Sequence, residues 1–472
     1  MKRTSFFTLI LLAGLLFAAE VTGRVTAAGK PLAGVAVSDG VSIVRTGADG
    51  RFTLTAADQA PLVWAVTPSG HVAPYADGTP RFWLPVDGRA AYEFEFLPAP
   101  GPFTLLAVGD PQPKTAKHMK RLVNEVVPDW QQTIADVRAA GGQPAMLVLG
   151  DVVWDAPELA PQMRSLFAGL GIPVYTVIGN HDHLIAESED AASTRNYRGV
   201  FGPTYYAFDL GDTHFVVLDN IVYHGRKVYE EAIDEGQLDW LAKYVELLPK
   251  GSRLCIAMHA PFQKYWRDFA RMGNGDRLLE IVAEYEVHFI TGHTHINSNL
   301  EVVPGVIEHN VAQVAGNLWH APLNQDGTPR GYQLFCEGPS GLEWHYKTLG
   351  KPLDYQIELY TPGRVPAHPA AVVAKVWNWD PQWRIEWSQD GRPMGAMERY
   401  AALADPDYSD HLAEARSRAE AAGKPLSKSQ YARPAFFYFG AEPDPETRIV
   451  EVTATDRFGN RYTQTLNLKN EL

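Results

Sequence analysis

Several short apolar runs in this sequence stop abruptly at polar residues, and this pattern constrains the fold more than any other feature. The clearest run is Val174–Ile178, whose β-branched and aromatic residues are typical of a strand that is buried on both faces. Gly179 follows, and a glycine lets the backbone turn without a Cβ penalty. Asn180, His181 and Asp182 come next. Because open α/β sheets bind ligands beyond the carboxyl ends of their strands, we expect these three side chains at a functional site.

Similar runs recur between residues 103 and 291 and alternate with segments of helical period. Strands are predicted at Phe103–Val108, Ala145–Leu149, Val174–Ile178, His214–Leu218, Arg253–Met258 and Val287–Thr291. The helical spacing is clearest at Leu159, Met163, Leu166 and Leu170 and at Leu238, Leu241, Val245 and Leu248. This alternation predicts a layered α/β domain with helices packed outside the sheet.

Five of these six predicted strands end in side chains that bind metals. The candidate ligands are Asp110, Gln112, Asp151, Asn180, His259, His293 and His295. Seven ligands are too many for one ion, but they suit two metals about 3.5–4 Å apart that share a bridging carboxylate. Mixed carboxylate, carboxamide and imidazole ligands favour Mn, Fe or Zn, with Mg also compatible, over Ca or an iron–sulfur cluster.

In this order, the strand-end motifs resemble those of the calcineurin-like metallophosphoesterase family. They are Gly109-Asp110-Pro111-Gln112, Gly150-Asp151, Gly179-Asn180-His181-Asp182, Met258-His259 and Gly292-His293-Thr294-His295. Residues 201–206, 218–220 and 346–347 also resemble a bacterial three-domain type of the family, so the likeness extends over almost the whole chain after residue 19. The resemblance implies a four-layer α/β sandwich core that hydrolyses a phosphate mono- or diester with a metal-bridging hydroxide.

The resemblance also implies a role for each site residue. The first metal would be held by Asp110, Gln112, Asp151 and His295, and the second by Asp151, Asn180, His259 and His293. His181 would assist the leaving group, and Asp182 would orient the His181 ring. Gln112 departs from the family, which commonly has histidine there. A carboxamide oxygen is a harder ligand than imidazole, so we expect the first site to prefer Mn, Mg or Fe(II) over Cu or Ni.

Patterning divides the rest of the chain into further segments. Residues 1–19 combine Lys2 and Arg3 with the apolar run Phe6–Ala18, which is typical of a cleaved signal peptide and predicts a periplasmic or secreted protein. The alternative of a membrane anchor is disfavoured because a span needs about 20 apolar residues. Residues 20–98 alternate with period two and predict a small β-sandwich that resembles transthyretin-like and carboxypeptidase regulatory-like domains.

The phosphoesterase domain is then expected over residues 99–347, and a second β-sandwich domain is expected over residues 348–472. Trp383, Ile385 and Trp387 alternate within this last part, and one helix is predicted near His411–Ala422.

The net charge limits the classes of binding partner, and the cysteine content limits the possible disulfides. The 472 residues include 42 Lys and Arg against 55 Asp and Glu, a net charge of −13, which argues against nonspecific nucleic-acid binding and a polybasic membrane surface. Two cysteines cannot form a disulfide framework. Cys255 reads as a small buried hydrophobe, and a disulfide between Cys255 and Cys336 has no support in the sequence.

Several residues near the motifs allow two interpretations each. His183 either reaches the substrate or lies in a solvated loop, and Trp154 and Asp155 either line the pocket or pack its rim. Residues 317–320, with Tyr332, form either an aromatic substrate wall or a packed loop under the C-terminal domain. His118, His214, His224, His288 and His345 lack a second ligand at useful spacing and are interpreted as ordinary structural or surface residues. His309 is less certain because it is expected near the active face.

Two functions from different classes fit these observations. The first is a secreted dinuclear phosphoesterase. The alternative is a noncatalytic surface or glycan-binding protein with an eroded metallophosphoesterase core, but no ligand position in this sequence carries an apolar residue. The substrate, the native metals and the oligomeric state do not follow from the sequence.

Overall fold

The computed structural model describes residues 20–57, 60–265, 269–339 and 341–468. The predicted signal peptide at residues 1–19 lies outside the described residues. Within the described ranges, every helix is too short or too polar to cross a lipid bilayer.

The N-terminal part is built from strands alone. These are β1 (Glu20–Ala27), β2 (Lys30–Pro31), β3 (Ala36–Ser38), β4 (Ile43–Arg45), β5 (Arg51–Thr55), β6 (Leu62–Ala65), β7 (His71–Val72), β8 (Trp83–Pro85) and β9 (Tyr92–Pro98). One sheet has the order β2-β1-β9-β7 with β5 paired to β1, and the other has the order β4-β3-β6-β8. Alternate residues of β5 and β9 are buried, as the period-two pattern predicts.

The core that follows mixes strands and helices. Its strands are β10 (Phe103–Val108), β11 (Gln143–Leu149), β12 (Val174–Val177), β13 (Tyr206–Leu210), β14 (Thr213–Val217), β15 (Ile221–Gly225), β16 (Val228–Glu231), β17 (Arg253–Ala257), β18 (Gln263–Lys264), β19 (Ala270–Arg271), β20 (Glu286–Thr291), β21 (Ser298–Val303), β22 (Val306–Asn310), β23 (Gly331–Gly338) and β24 (Gly341–Thr348). Its helices are α1 (Ala116–Glu125), α2 (Val127–Ala139), α3 (Ala160–Ala168), α4 (Asp190–Ser193), α5 (Arg195–Phe201), α6 (Glu235–Val245) and α7 (Gly275–Val282), with 3-10 turns at Pro157–Leu159 and Asn317–Trp319.

Two sheets form the centre of this core. The first core sheet has the order β12-β11-β10-β23-β24, and the second has the order β13-β14-β17-β20-β22-β21. Strands β10, β11 and β12 are parallel, and so are β14, β17, β20 and β22. The carboxyl ends of neighbouring parallel strands therefore meet at one edge of each sheet.

Alternation along β10 shows how the layers stack. Leu105 and Ala107 pack toward the second core sheet, in one cluster with Phe215 and Ile256. Leu106 and Val108 face the other way and pack with residues of α1, α2 and α3. Helices α6 and α7 cover the far side of the second sheet. The fold is therefore the four-layer α/β sandwich that the resemblance implied.

The C-terminal part is a second β-sandwich with one helix. Its elements are β25 (Glu358–Tyr360), β26 (Val372–Lys375), β27 (Arg384–Gln389), β28 (Arg392–Ala396), β29 (Glu398–Arg399), α8 (Pro406–Ala421), β30 (Tyr438–Ala441), β31 (Ile449–Thr455) and β32 (Arg461–Asn467). The sheets have the orders β25-β26-β30-β29 and β28-β27-β31-β32. Helix α8 begins earlier than predicted because Asp405 caps it, accepting a hydrogen bond from the Tyr408 N–H at 2.7 Å.

All six predicted core strands are confirmed, with ends that differ by at most two residues. Helix α2 was not predicted, although Pro128 in its first turn is a start signal. Its buried face consists of Trp130, Thr133 and Ile134, which is too short a run to show a helical period.

Candidate metal centre

The motif residues follow the strands whose carboxyl ends converge. Three glycines allow these loops to approach one another closely. A Cβ atom on Gly150 would lie 2.3 Å from His259 Nδ1, and one on Gly179 would lie 2.2 Å from the Asp151 nitrogen. At Gly292 it would lie 2.7 Å from Asp110 Oδ2. Any larger residue at these three positions would push the candidate ligands apart.

His259 lies close to three other candidate ligands, Asp151, Asn180 and His293. His259 Nε2 is 3.4 Å from Asp151 Oδ1 and 3.1 Å from Asn180 Oδ1. His293 Nδ1 is 3.1 Å from the same His259 nitrogen. Oxygen and imidazole atoms from four different loops thus lie close to one another, as the ligands of one divalent ion do.

Asp110 joins this group to His295. Its Oδ2 accepts a hydrogen bond from the His293 N–H at 2.9 Å, and its Oδ1 lies 3.5 Å from His295 Nε2. Asp110 is fully buried, and among the described residues its Oδ1 has no hydrogen-bond partner. A buried carboxylate oxygen without a donor is costly, and a bound cation removes that cost. The residues present therefore fit a divalent metal.

Gln112 is buried beside Asp151, but its amide is turned in an unexpected direction. Its Nε2 donates to Asp151 Oδ2, whereas its Oε1 accepts a hydrogen bond from Gln313 Nε2 at 2.7 Å. Gln313 is held in turn because its own Oε1 accepts from the Leu318 N–H at 2.9 Å. An amide nitrogen has no lone pair for a metal, so ligation by Gln112 requires its amide to rotate.

The backbone of this site is strained at several positions. Asp110, Gln112, Asp151, Asp155, His293 and His295 all have positive φ angles, between 41° and 67°. Non-glycine residues rarely adopt this conformation, and it persists only where the surrounding structure enforces it. The strain is therefore concentrated at the loops that carry the candidate ligands.

Neighbouring groups orient two of the imidazoles. His259 Nδ1 lies 2.7 Å from the Leu149 carbonyl oxygen, so it carries the proton and leaves Nε2 for a ligand. His293 Nε2 lies 3.4 Å from Glu231 Oε1, and the other oxygen of Glu231 pairs with Lys264. Burial raises the pKa of Glu231, but His293 and Lys264 outweigh it and lower the pKa to about 2. Glu231 lies in no motif, so no sequence signal pointed to it.

His181 lies at the rim of the site, with 23% of its side chain exposed. Its Nδ1 is 2.8 Å from Asp155 Oδ1, and Lys227 Nζ is 2.6 Å from the other oxygen of Asp155. Burial works to lower the pKa of His181, but Asp151 and then Asp155 outweigh it and raise the pKa. The Trp154 ring packs beside it, with ring centroids 5.6 Å apart.

The prediction that Asp182 orients the His181 ring is wrong. The Asp182 carboxylate accepts hydrogen bonds from the N–H groups of Val152, Val153 and Gly179 at 2.9–3.1 Å. Asp182 thus ties the loop after β11 to the loop after β12, and Asp155 takes the orienting place.

The structure also decides between the interpretations that the sequence left open for His183, residues 317–320 and His309. His183 is buried and stacks on Tyr223, with ring centroids 4.8 Å apart. Residues 317–320 form the packed loop: the Asn317 amide donates to Tyr408, and Trp319 Nε1 donates to the Pro111 carbonyl oxygen at 3.0 Å. His309 is fully buried, with its ring centroid 4.6 Å from that of Trp344.

Comparison with protein families gives three matches along the chain. Residues 103–297 match the calcineurin-like phosphoesterase family. Residues 19–99 match the N-terminal domain of calcineurin-like phosphoesterase, and residues 308–462 match the C-terminal domain. No curated protein matches the chain significantly.

Among solved structures, a dimetal phosphatase from Danio rerio is 15% identical, with 53% of this chain and 100% of that chain covered and a TM-score of 0.34. A purple acid phosphatase from yellow lupin seeds is 12% identical, with 67% of each chain covered and a TM-score of 0.38. A 5'-nucleotidase from Candida albicans is 10% identical, with 52% and 51% covered and a TM-score of 0.32.

These three likenesses are distant, and the assignment depends on the family matches, which span nearly all of the chain after residue 18. Membership implies a centre of two divalent metals and phosphate-ester substrates. The chain belongs to the calcineurin-like phosphoesterase family and is a metal-dependent phosphoric ester hydrolase.

Proposed function

We propose that this protein hydrolyses a phosphate mono- or diester at a dinuclear centre. The proposed metal ligands are Asp110, Gln112, Asp151, Asn180, His259, His293 and His295. The observation that carries this proposal is the close approach of His259 to Asp151, Asn180 and His293, beside a buried Asp110 whose Oδ1 has no hydrogen-bond partner among the described residues. Two divalent cations bound there would supply a hydroxide nucleophile at neutral pH and would polarise the phosphoryl oxygens.

His181 would assist the departure of the leaving group. Its Nδ1 is occupied by Asp155, which leaves Nε2 to give a proton to the leaving oxygen or to stabilise charge on the phosphoryl group. Asp155 is itself held by Lys227, so the His181 ring cannot turn freely. Asp182 would keep its structural role, holding the two ligand loops together.

A periplasmic or secreted location is also proposed, and it rests on the sequence of residues 1–19 alone. The metals are proposed to be drawn from Mn, Fe, Zn and Mg. The carboxamide of Gln112 favours Mn, Mg or Fe(II) at the first site.

The test starts from full-length protein that has been stripped with a chelator and reloaded with one metal at a time. Hydrolysis of p-nitrophenyl phosphate and of bis-p-nitrophenyl phosphate should vanish on stripping and return with Mn or Fe(II). Strict dependence on Zn or Cu would contradict the role given to Gln112. Asp151→Asn should abolish turnover, whereas the matched control Asp239→Asn, on the exposed face of α6, should not.

A second set of variants separates the ligands from His181. His181→Ala should lower kcat by about 10²–10⁴-fold while the metal content stays normal. Asp155→Asn should lower kcat by a smaller factor, of about 10–100-fold. Loss of metal from His181→Ala, or full turnover by Asp151→Asn, would overturn the proposed assignments.

A further inference from the structure

A second cluster of metal-binding side chains lies on the outer face of the first core sheet. Cys336 on β23 is directly opposite Glu343 on β24, and His345 follows two residues later on the same face. One ligand atom from each of these three residues lies within 4.8 Å of the other two. They belong to neither the strand-end motifs nor the loops of the phosphoesterase site.

The spacing within this cluster suits a single ion. His345 Nε2 lies 3.8 Å from Glu343 Oε2, which is too long for a hydrogen bond. Ligands held at about 2.0–2.3 Å from a tetrahedral ion lie roughly 3.3–3.8 Å apart, so little movement is needed to close the site. Gly338 makes room for this arrangement, since a Cβ atom there would collide with the Glu343 carboxylate.

The surroundings also favour a cation. Glu343 and His345 keep 19% and 14% of their side chains exposed, so an ion can enter and water can complete its coordination. Cys336 lines a groove of about 910 Å³ beside α2, which gives a second route from solvent.

We propose that Cys336, Glu343 and His345 bind one Zn²⁺-type ion at a site separate from the phosphoesterase centre. The thiolate is the deciding ligand, because sulfur selects Zn²⁺ and related ions over Mg²⁺ and Ca²⁺. None of the proposed ligands of the phosphoesterase centre is a thiolate, so the two sites differ in chemistry. The Phe458 ring, from the loop between β31 and β32, packs 5.8 Å from the His345 ring, so the ion sits where the core edge meets the C-terminal domain.

Because the chain contains only two cysteines, a spectroscopic signal of thiolate ligation can be assigned to one of them. Full-length protein stripped of metal is titrated with Cd²⁺, which gives an ultraviolet charge-transfer band only when a thiolate binds it. We expect the band at saturation to correspond to one thiolate-bound Cd²⁺ per chain. The total number of Cd²⁺ ions bound per chain should exceed by one the number that the phosphoesterase centre takes. Cys336→Ser should remove the band and one equivalent of ion, and the matched control Cys255→Ser should keep both, because Cys255 is fully buried.

His345→Ala separates a built site from a lone thiol that captures Cd²⁺. It keeps Cys336 and should weaken the affinity read from the band at least tenfold, and Glu343→Gln should also weaken it. No band in the wild type, a band that survives Cys336→Ser, or an unchanged affinity in His345→Ala would each overturn the proposal. Phosphatase activity should stay within twofold in Cys336→Ser, so failure of one site is distinguishable from failure of the other.

Discussion

The two β-sandwich domains contact the core in different ways. The N-terminal domain packs its aromatic side chains on α6 and on the segment around β13. Trp64 lies against Trp240 and Tyr205, with ring centroids 6.2 Å and 5.8 Å apart, and Phe82 lies 4.8 Å from Tyr206. We expect apolar area to dominate this contact, although Trp240 Nε1 also donates a hydrogen bond to Ser38 Oγ at 3.0 Å.

The C-terminal domain adds buried polar groups to its ring contacts with the core, such as that of Phe458 with Trp344. Asn297 Nδ2 donates to the Trp377 carbonyl oxygen at 2.8 Å, and Asn299 Nδ2 donates to Asn378 Oδ1 at 3.0 Å. Asn297 is only two residues beyond His295, a proposed metal ligand. The C-terminal domain therefore holds the loop that carries the last motif.

Because of this difference, changes in the two contacts should affect the stability and the catalytic activity of the protein to different degrees. Apolar packing is non-directional, so a change in it costs free energy without moving a distant loop by a defined amount. Buried hydrogen bonds are directional, and losing one displaces the groups that it fixed. We expect the N-terminal contact to affect mainly stability and the C-terminal contact to affect both stability and turnover.

The largest effect on stability is expected for Trp64→Ala. Trp64 is 3% exposed, and removing its ring leaves a cavity that costs about 3–5 kcal/mol. The free energy of unfolding, measured with denaturant, should fall by this amount while kcat/KM of the folded protein stays within twofold. A parallel loss of kcat/KM would show that the N-terminal domain also shapes the site.

Asn297→Ala should have a smaller effect on stability but a clear one on turnover. The buried Trp377 carbonyl loses its donor, which costs about 1–3 kcal/mol, and kcat/KM should fall by about 10–100-fold. Asn299→Ala is the matched control, because it breaks a similar contact two residues farther from His295. If both variants lose stability and neither loses turnover, the C-terminal domain is only a brace.

The smallest effect is expected for Tyr205→Phe. The change removes one hydrogen bond, from the Tyr205 hydroxyl to the Gly40 carbonyl oxygen at 3.0 Å, and leaves the ring in place. The free energy of unfolding should fall by about 0.5–1.5 kcal/mol, with kcat/KM unchanged. A loss above that of Trp64→Ala would refute the view that apolar area dominates this contact.

Much of the core and the set of candidate ligands could be predicted from the sequence because their signals are local. A buried strand followed by glycine and a polar residue, as at Val174–Ile178 with Gly179 and Asn180, needs no knowledge of the rest of the chain. Helix α2 escaped prediction because its buried face is short and is defined only by the sheet beneath it.

The partners of the predicted residues were decided by the tertiary structure. Asp182 is adjacent to His181 in the chain, yet backbone N–H groups from the loop after β11 take up its carboxylate. Asp155, 26 residues from His181, holds the ring instead. Glu231 reaches His293, and Cys336 meets Glu343, only because strands distant in sequence are paired or packed in the fold.

The sequence by itself determined which chemical groups the chain offers and at which strand ends they lie, because residue identity and local periodicity are read without contacts. The direction of each side chain, including the Gln112 amide that faces Asp151 through its nitrogen, depends on competing hydrogen-bond partners. Those partners are brought together only when the two sheets and the three domains pack.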